Sequence, residues 1–164
     1  MAGQSPEGMA GKSPEGIAAQ RERLAEGLQA YGAAFTELGR RFAVTLNVHS
    51  TDAFALLEIA SAEAKGAPIS PAQLSKRIAL TSGAMTTLLN RLEQAGYIGR
   101  TREHSDRRVV TLRASPLVKE LGDDFFGPIN ARQDAVLAEY SPEVLRQFET
   151  LVARLRATIE DYNR

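Results

Sequence analysis

The 164-residue chain contains no cysteine. Disulfide bridges, thiolate catalysis and cysteine-based redox sensing are therefore excluded together. It has only two histidines, His49 and His104, 55 positions apart, which leaves little for a zinc site. No metal or other cofactor is expected. No apolar run approaches 18 residues, so no transmembrane helix is expected. The start of the chain lacks the basic-then-apolar pattern of a signal peptide, so the expected location is cytoplasmic. Catalytic signatures are missing too. There is no nucleophile elbow, Gly-rich phosphate loop or metal motif. His49, Ser50 and Asp52 lie close in sequence, but a hydrolytic triad is defined by geometry rather than adjacency. The chain is read as not an enzyme.

Neither sign of charge is in excess, with 20 basic and 20 acidic residues. The distribution is uneven. Residues 70–113 hold eight basic residues (Lys76, Arg77, Arg91, Arg100, Arg102, Arg107, Arg108, Arg113) and three acidic ones (Glu93, Glu103, Asp106). The remainder is correspondingly acidic. Such segregation is the electrostatic footprint of a DNA-binding face on an acidic body. With 43% hydrophobic and 24% charged residues, the composition is that of a soluble globular protein long enough for a real core.

Residues 3–18 contain a tandem octapeptide, GQSPEGMA followed by GKSPEGIA. Two Gly-, Pro- and Ser-rich units bury no core, so residues 1–17 read as a disordered tail. From Ala18 to about Asn47, Leu24, Leu28, Tyr31, Phe35, Leu38 and Phe42 step by three and four, the spacing of one helical stripe. A second helix is expected from about Thr51 to Ala64, with Phe54, Leu57 and Ala60 inward and Asp52 near its positive N-terminus. Lys65-Gly66-Ala67-Pro68 ends it.

Ser70, Pro71 and Gln73 form a capping-box signature for a short helix ending near Ile78. Thr81 reads as the next N-cap, opening a helix from Ser82 to about Gln94, with Gly96 as a left-handed stop. Tyr97–Arg102 and Arg108–Leu112 read as strands around a polar turn, Glu103 to Arg107. A helix follows from about Ser115, with Leu117, Leu121, Phe125 and Ile129 inward and Gly127-Pro128 expected to kink or interrupt it. Ser141-Pro142 opens the last helix, where Leu145, Phe148, Val152, Leu155, Ile159 and Tyr162 make a heptad-like seam.

The expected fold is mainly α with a small two-to-three-stranded β wing. Residues 51–114 form a winged helix-turn-helix DNA-binding domain, and residues 18–50 and 115–164 form a helical dimerisation region. One small module covers two long amphipathic helices poorly, whereas a second copy would cover them. A two-fold homodimer is therefore expected, and with it a pseudo-palindromic operator in double-stranded DNA.

A helix that enters the major groove needs small or hydrogen-bonding side chains on its open face. Ser82, Gly83, Ala84, Thr86, Thr87, Asn90 and Arg91 meet that need, while Met85, Leu88, Leu89 and Leu92 supply the buried side. Asn90 could read adenine; Arg91 could take guanine, a phosphate or a salt bridge to the wing. The hairpin carries Arg100, Arg102, His104, Arg107 and Arg108, a thin basic turn shaped for a minor groove. Asp106 in that turn is read as a side chain that caps it or orients an arginine.

The stretch from Leu56 to Leu112 resembles the MarR family of winged helix-turn-helix transcriptional regulators. The residues that carry the resemblance are Ser82-Gly83-Ala84-Met85-Thr86, Arg91-Leu92-Glu93-Gln94-Ala95-Gly96-Tyr97-Ile98, and the wing Asp106-Arg107-Arg108 followed by Val110-Thr111-Leu112. The long terminal helices match the family layout over about residues 20–164. The resemblance implies a triangular dimer with the terminal helices at its apex. It also implies that Arg108 enters the minor groove, held by Asp106, and that the helix from Ser82 reads the major groove. Family members often repress a neighbouring gene or their own. Many are released by a small aromatic or anionic ligand bound between the dimerisation and DNA-binding parts. The branch that senses oxidants through cysteine is excluded. Phe42, Leu46, His49, Phe54 and Phe125 are the candidates for an effector pocket, with simple core packing as the alternative for each. The competing function is a winged-helix module for protein contacts without specific DNA binding.

Overall fold

A computed structural model of the chain describes residues 14–102 and 110–162. Most of the octapeptide repeat and the wing turn, with His104, Asp106, Arg107 and Arg108, lie outside the described residues. The described elements are α1 (Pro14–Leu46), α2 (Ser50–Ala64), α3 (Pro71–Arg77), α4 (Ser82–Gln94), β1 (Ile98–Arg102), β2 (Val110–Ala114), α5 (Pro116–Leu137) and α6 (Pro142–Tyr162). The chain divides into two compact units between Ser115 and Pro116.

In the first unit, local chemistry sets the helix ends. The capping box of α3 is complete: the Gln73 amide N–H donates to Ser70 Oγ at 3.3 Å, and the Ser70 N–H donates to Gln73 Oε1 at 2.8 Å. Thr81 Oγ1 accepts from the Ala84 N–H, as its N-cap role requires. Four successive helices then stop in the same way, on a residue with positive φ: Asn47 (54°), Gly66 (71°), Ala79 (52°) and Gly96 (74°). After each one, a backbone N–H reaches back five residues: Val48 to Ala43, Ala67 to Ala62, Leu80 to Ser75 and Tyr97 to Leu92. This bond satisfies a carbonyl that the helix end leaves orphaned. Glycine adopts this conformation without strain. Ala79 does so against its Cβ, inside the turn between α3 and α4.

The core of this unit gathers Phe42 and Leu46 from the end of α1, Leu56 and Ile59 from α2, Leu74 from α3 and Leu92 from α4, all essentially inaccessible. Gly39 lets α1 and α2 approach closely, since a Cβ there would stand 2.7 Å from Phe54 Cε1. The inward face of α2 differs from expectation. Ala53, Ala55, Leu56, Ile59 and Ala62 are buried, whereas Phe54, Leu57 and Ala60 are only half-buried. α2 packs against α1, α3 and β2 at once, so its burial follows its neighbours rather than a single stripe.

The sheet has two antiparallel strands, with Ile98 opposite Ala114, Arg100 opposite Leu112 and Arg102 opposite Val110. The segment before α3 is stitched to it, since the Leu112 N–H donates to the Ile69 carbonyl at 2.8 Å. α1 begins at Pro14, earlier than the periodicity suggests, and only its last turns are buried. Tyr31 and Phe35 remain more than half exposed.

In the second unit, α5 runs through Pro128 as one helix, so the proline does not interrupt it. Proline removes one backbone donor, and at this exposed position water can satisfy the carbonyl left without it. α6 has no buried residue. Its apolar seam is open along its length: Phe148 is 46% exposed, Leu155 39% and Ile159 64%. Among the described residues, no helix is long and apolar enough to cross a membrane.

Candidate nucleic-acid interface

α4 is divided cleanly into two faces. Met85, Leu88, Leu89 and Leu92 are buried, while Ser82, Gly83, Ala84, Thr86, Thr87, Asn90 and Arg91 are all exposed. The seven candidates of this helix thus share one open surface. That surface is opposite the leucines because 3.6-residue periodicity places 85, 88, 89 and 92 together. The turn before α4 is braced from within, as Ser75 Oγ donates to the Leu80 carbonyl at 2.6 Å.

The polar groups on this surface are partly engaged already. Thr86 Oγ1 donates to the Ser82 carbonyl at 2.9 Å, and Thr87 Oγ1 donates to the Gly83 carbonyl at 3.1 Å. Arg100 of β1 donates from Nη2 to Asn90 Oδ1 at 3.1 Å and pairs through Nε with Glu93 at 3.2 Å. These contacts tie the first wing strand to α4.

Arg91 makes the strongest polar contact. Its Nε donates to Asp52 Oδ2 at 2.8 Å and its Nη2 donates to Asp52 Oδ1 at 2.6 Å, a bidentate fork. Asp52 is 1% exposed and the Arg91 side chain 47%. The hydrogen bonds that Arg91 donates to Asp52, together with the charge of that carboxylate, raise the pKa of the guanidinium above the ordinary arginine value, against the opposing effect of burial. Asp52 also sits in the first turn of α2, where the backbone dipole favours an anion. The structure gives Arg91 a partner outside those the sequence suggested: a carboxylate 39 residues away on α2 rather than a wing residue. Nothing local in the sequence pairs positions so far apart.

The wing is anchored on the body by several independent bonds. Tyr97 Oη donates to the Leu46 carbonyl at 3.1 Å, and Glu63 Oε2 accepts from the Ala114 N–H at 3.1 Å. Arg102, at the described end of β1, is exposed. Both strands therefore leave a fixed base toward residues 103–109.

The effector candidates are spread through the fold. Phe42 and Leu46 lie in the core, Phe54 is half-buried against Gly39, and His49 is exposed at the N-cap of α2. Phe125 lies on α5 in the second unit and packs edge-on against Phe126, with ring centroids 4.9 Å apart. Among the described residues, no group of three or more acidic or histidine side chains could hold a metal ion.

A family model described as the MarR family matches residues 54–110, from α2 to the start of β2. That stretch is similar to the MarR family and contains α3, α4 and β1. The uncharacterized HTH-type transcriptional regulator YcgE of Bacillus subtilis (strain 168) is 29% identical over 133 residues, a match covering 77% of this chain and 84% of that protein. The family match and this relative's name support a DNA-binding transcriptional regulator. Solved structures show the same fold. Streptococcus pneumoniae FabT in complex with DNA superposes with a TM-score of 0.59 at 24% identity, over 86% of this chain and 98% of that one. NadR in complex with 4-hydroxyphenylacetate gives a TM-score of 0.56 at 20% identity, over 94% and 97%.

Proposed function

We propose that the chain acts as a cytoplasmic, homodimeric repressor that binds a pseudo-palindromic operator in double-stranded DNA and is released by a small aromatic or anionic effector. The observation that carries the DNA reading is the open face of α4, where seven small or polar side chains stand exposed opposite four buried apolar ones. Such a face suits a major groove, with the basic strands of the wing beside it. Arg108, with Asp106 holding it, is the proposed minor-groove contact, beside Arg102, His104 and Arg107. The exposed seam of α6 and the exposed aromatics of α1 support dimerisation, because a second copy would remove both from water. The effector is supported by the aromatic candidates Phe42, Phe54 and Phe125, with Leu46 and His49, and by a structural neighbour solved with an aromatic acid.

Fluorescence anisotropy tests the reading, using DNA from upstream of the protein's own gene against a shuffled duplex at two salt concentrations. The expected result is a preference of about 10³-fold or more, with affinity falling steeply as salt rises because phosphate contacts release counterions. Equal, weak, salt-insensitive binding to both duplexes would instead indicate a module for protein contacts. Arg108→Ala should weaken operator binding by about tenfold or more and leave the dimer intact. Unchanged affinity in that variant would remove the wing assignment.

A further inference from the structure

Resting on the reading of α4 as the major-groove helix, we infer that its first two turns select A·T base pairs, chiefly by touching thymine methyl groups with Thr86, Thr87 and Ala84. The inference follows from which atoms of the open face remain available. The hydroxyl protons of Thr86 and Thr87 are both directed to helix carbonyls, at 2.9 and 3.1 Å. Each threonine is left with oxygen lone pairs and a methyl group for a partner. These side chains accept hydrogen bonds and make apolar contacts, but they do not donate. Gly83 and Ala84 beside them add no side-chain donor.

Guanine is recognised in the major groove by donors aimed at its O6 and N7, most often an arginine fork. The one arginine of α4 is Arg91, and its Nε and Nη2 are held by Asp52. Arg100, the nearest arginine of the wing strand, is held by Asn90 and Glu93. Bidentate recognition of adenine by asparagine needs the amide oxygen turned to the base edge, and the bond from Arg100 holds Asn90 Oδ1 toward β1. The Asn90 amide retains its N–H donors. A purine N7 accepts these in either pair, so they do not distinguish A·T from G·C. Beside the Ser82 hydroxyl and the Asn90 amide hydrogens, what the first two turns present is a surface of methyl groups and acceptors. The pair that matches it presents a thymine methyl and the adenine N6 amino donor together.

The test is cyclic selection of duplexes from a random library by the full chain, followed by affinity measurements on the selected site with thymine replaced by uracil, one position at a time. Symmetric A·T positions are expected in the major-groove half-sites. Loss of a touched methyl should weaken binding about threefold to fourfold, as expected for one buried carbon. Thr86→Ser and Thr87→Ser keep the hydroxyl and its backbone bond but lack the methyl. In each variant, the uracil penalty should vanish at the position that residue touches and persist elsewhere. Selection of G·C at these positions, or uracil duplexes bound as tightly as thymine ones, overturns the inference and leaves the DNA-binding reading standing. Failure to enrich any sequence overturns both.

Discussion

α4 and α6 carry the same kind of pattern and meet different fates. Both are amphipathic helices with apolar residues every three or four positions. In α4 that stripe lies in the core of its own unit, with Met85, Leu88, Leu89 and Leu92 no more than 3% exposed. In α6 the stripe lies open, from Val144 to Tyr162. Periodicity thus shows that a face is to be covered, without identifying what covers it. Burial within one chain supports the fold, whereas an uncovered seam supports association.

The contrast can be broken most severely at α6. Ending the chain after Ser141 removes the whole seam, and the expected product is monomeric or unfolded, as read by analytical ultracentrifugation. A stable truncated dimer would refute the terminal-helix interface. In α4, Leu92→Ala should cost about 2–5 kcal/mol. Urea unfolding should show this loss independently of protein concentration, because the face is covered from within. A milder change separates packing from positioning. Arg91→Ala leaves the buried Asp52 carboxylate without its cation. Because Arg91 is half exposed and solvent can partly replace it, the expected loss is about 2 kcal/mol. Operator affinity should fall as α4 loses its tie to α2, and wild-type stability in this variant would mean that the pair contributes nothing net. The smallest change runs the other way. Ala79→Gly relieves a left-handed alanine and should raise stability by up to about 1 kcal/mol. Thermal unfolding checks this, with operator affinity expected to stay constant.

What was legible in the residues follows the range of each interaction. The Ser70–Gln73 box, the Thr81 cap and the Gly96 stop involve neighbours within three or four positions, so composition and order reveal them. The faces of α4 were legible for the same reason. The inward face of α2 departs from its periodicity because three elements pack on it, and Pro128 does not interrupt α5 because one missing donor at an exposed site does not end a helix. Ala79 carries no signal at all, since alanine has no preference for positive φ. The turn there is imposed by the packing of α3 against α4.

By itself, the sequence determined the caps that open α3 and α4, the Gly96 stop, which side of α4 is apolar, and that cysteine chemistry plays no part. Each of these depends on covalent identity and on contacts a few residues long. Only the tertiary structure decided that Arg91 is clamped by Asp52 and that Arg100 occupies the oxygen of Asn90. These partners lie 39 and 10 positions apart, and only packing brings them within hydrogen-bond range. The atoms α4 can offer to a base are therefore set by the fold rather than by its residue types.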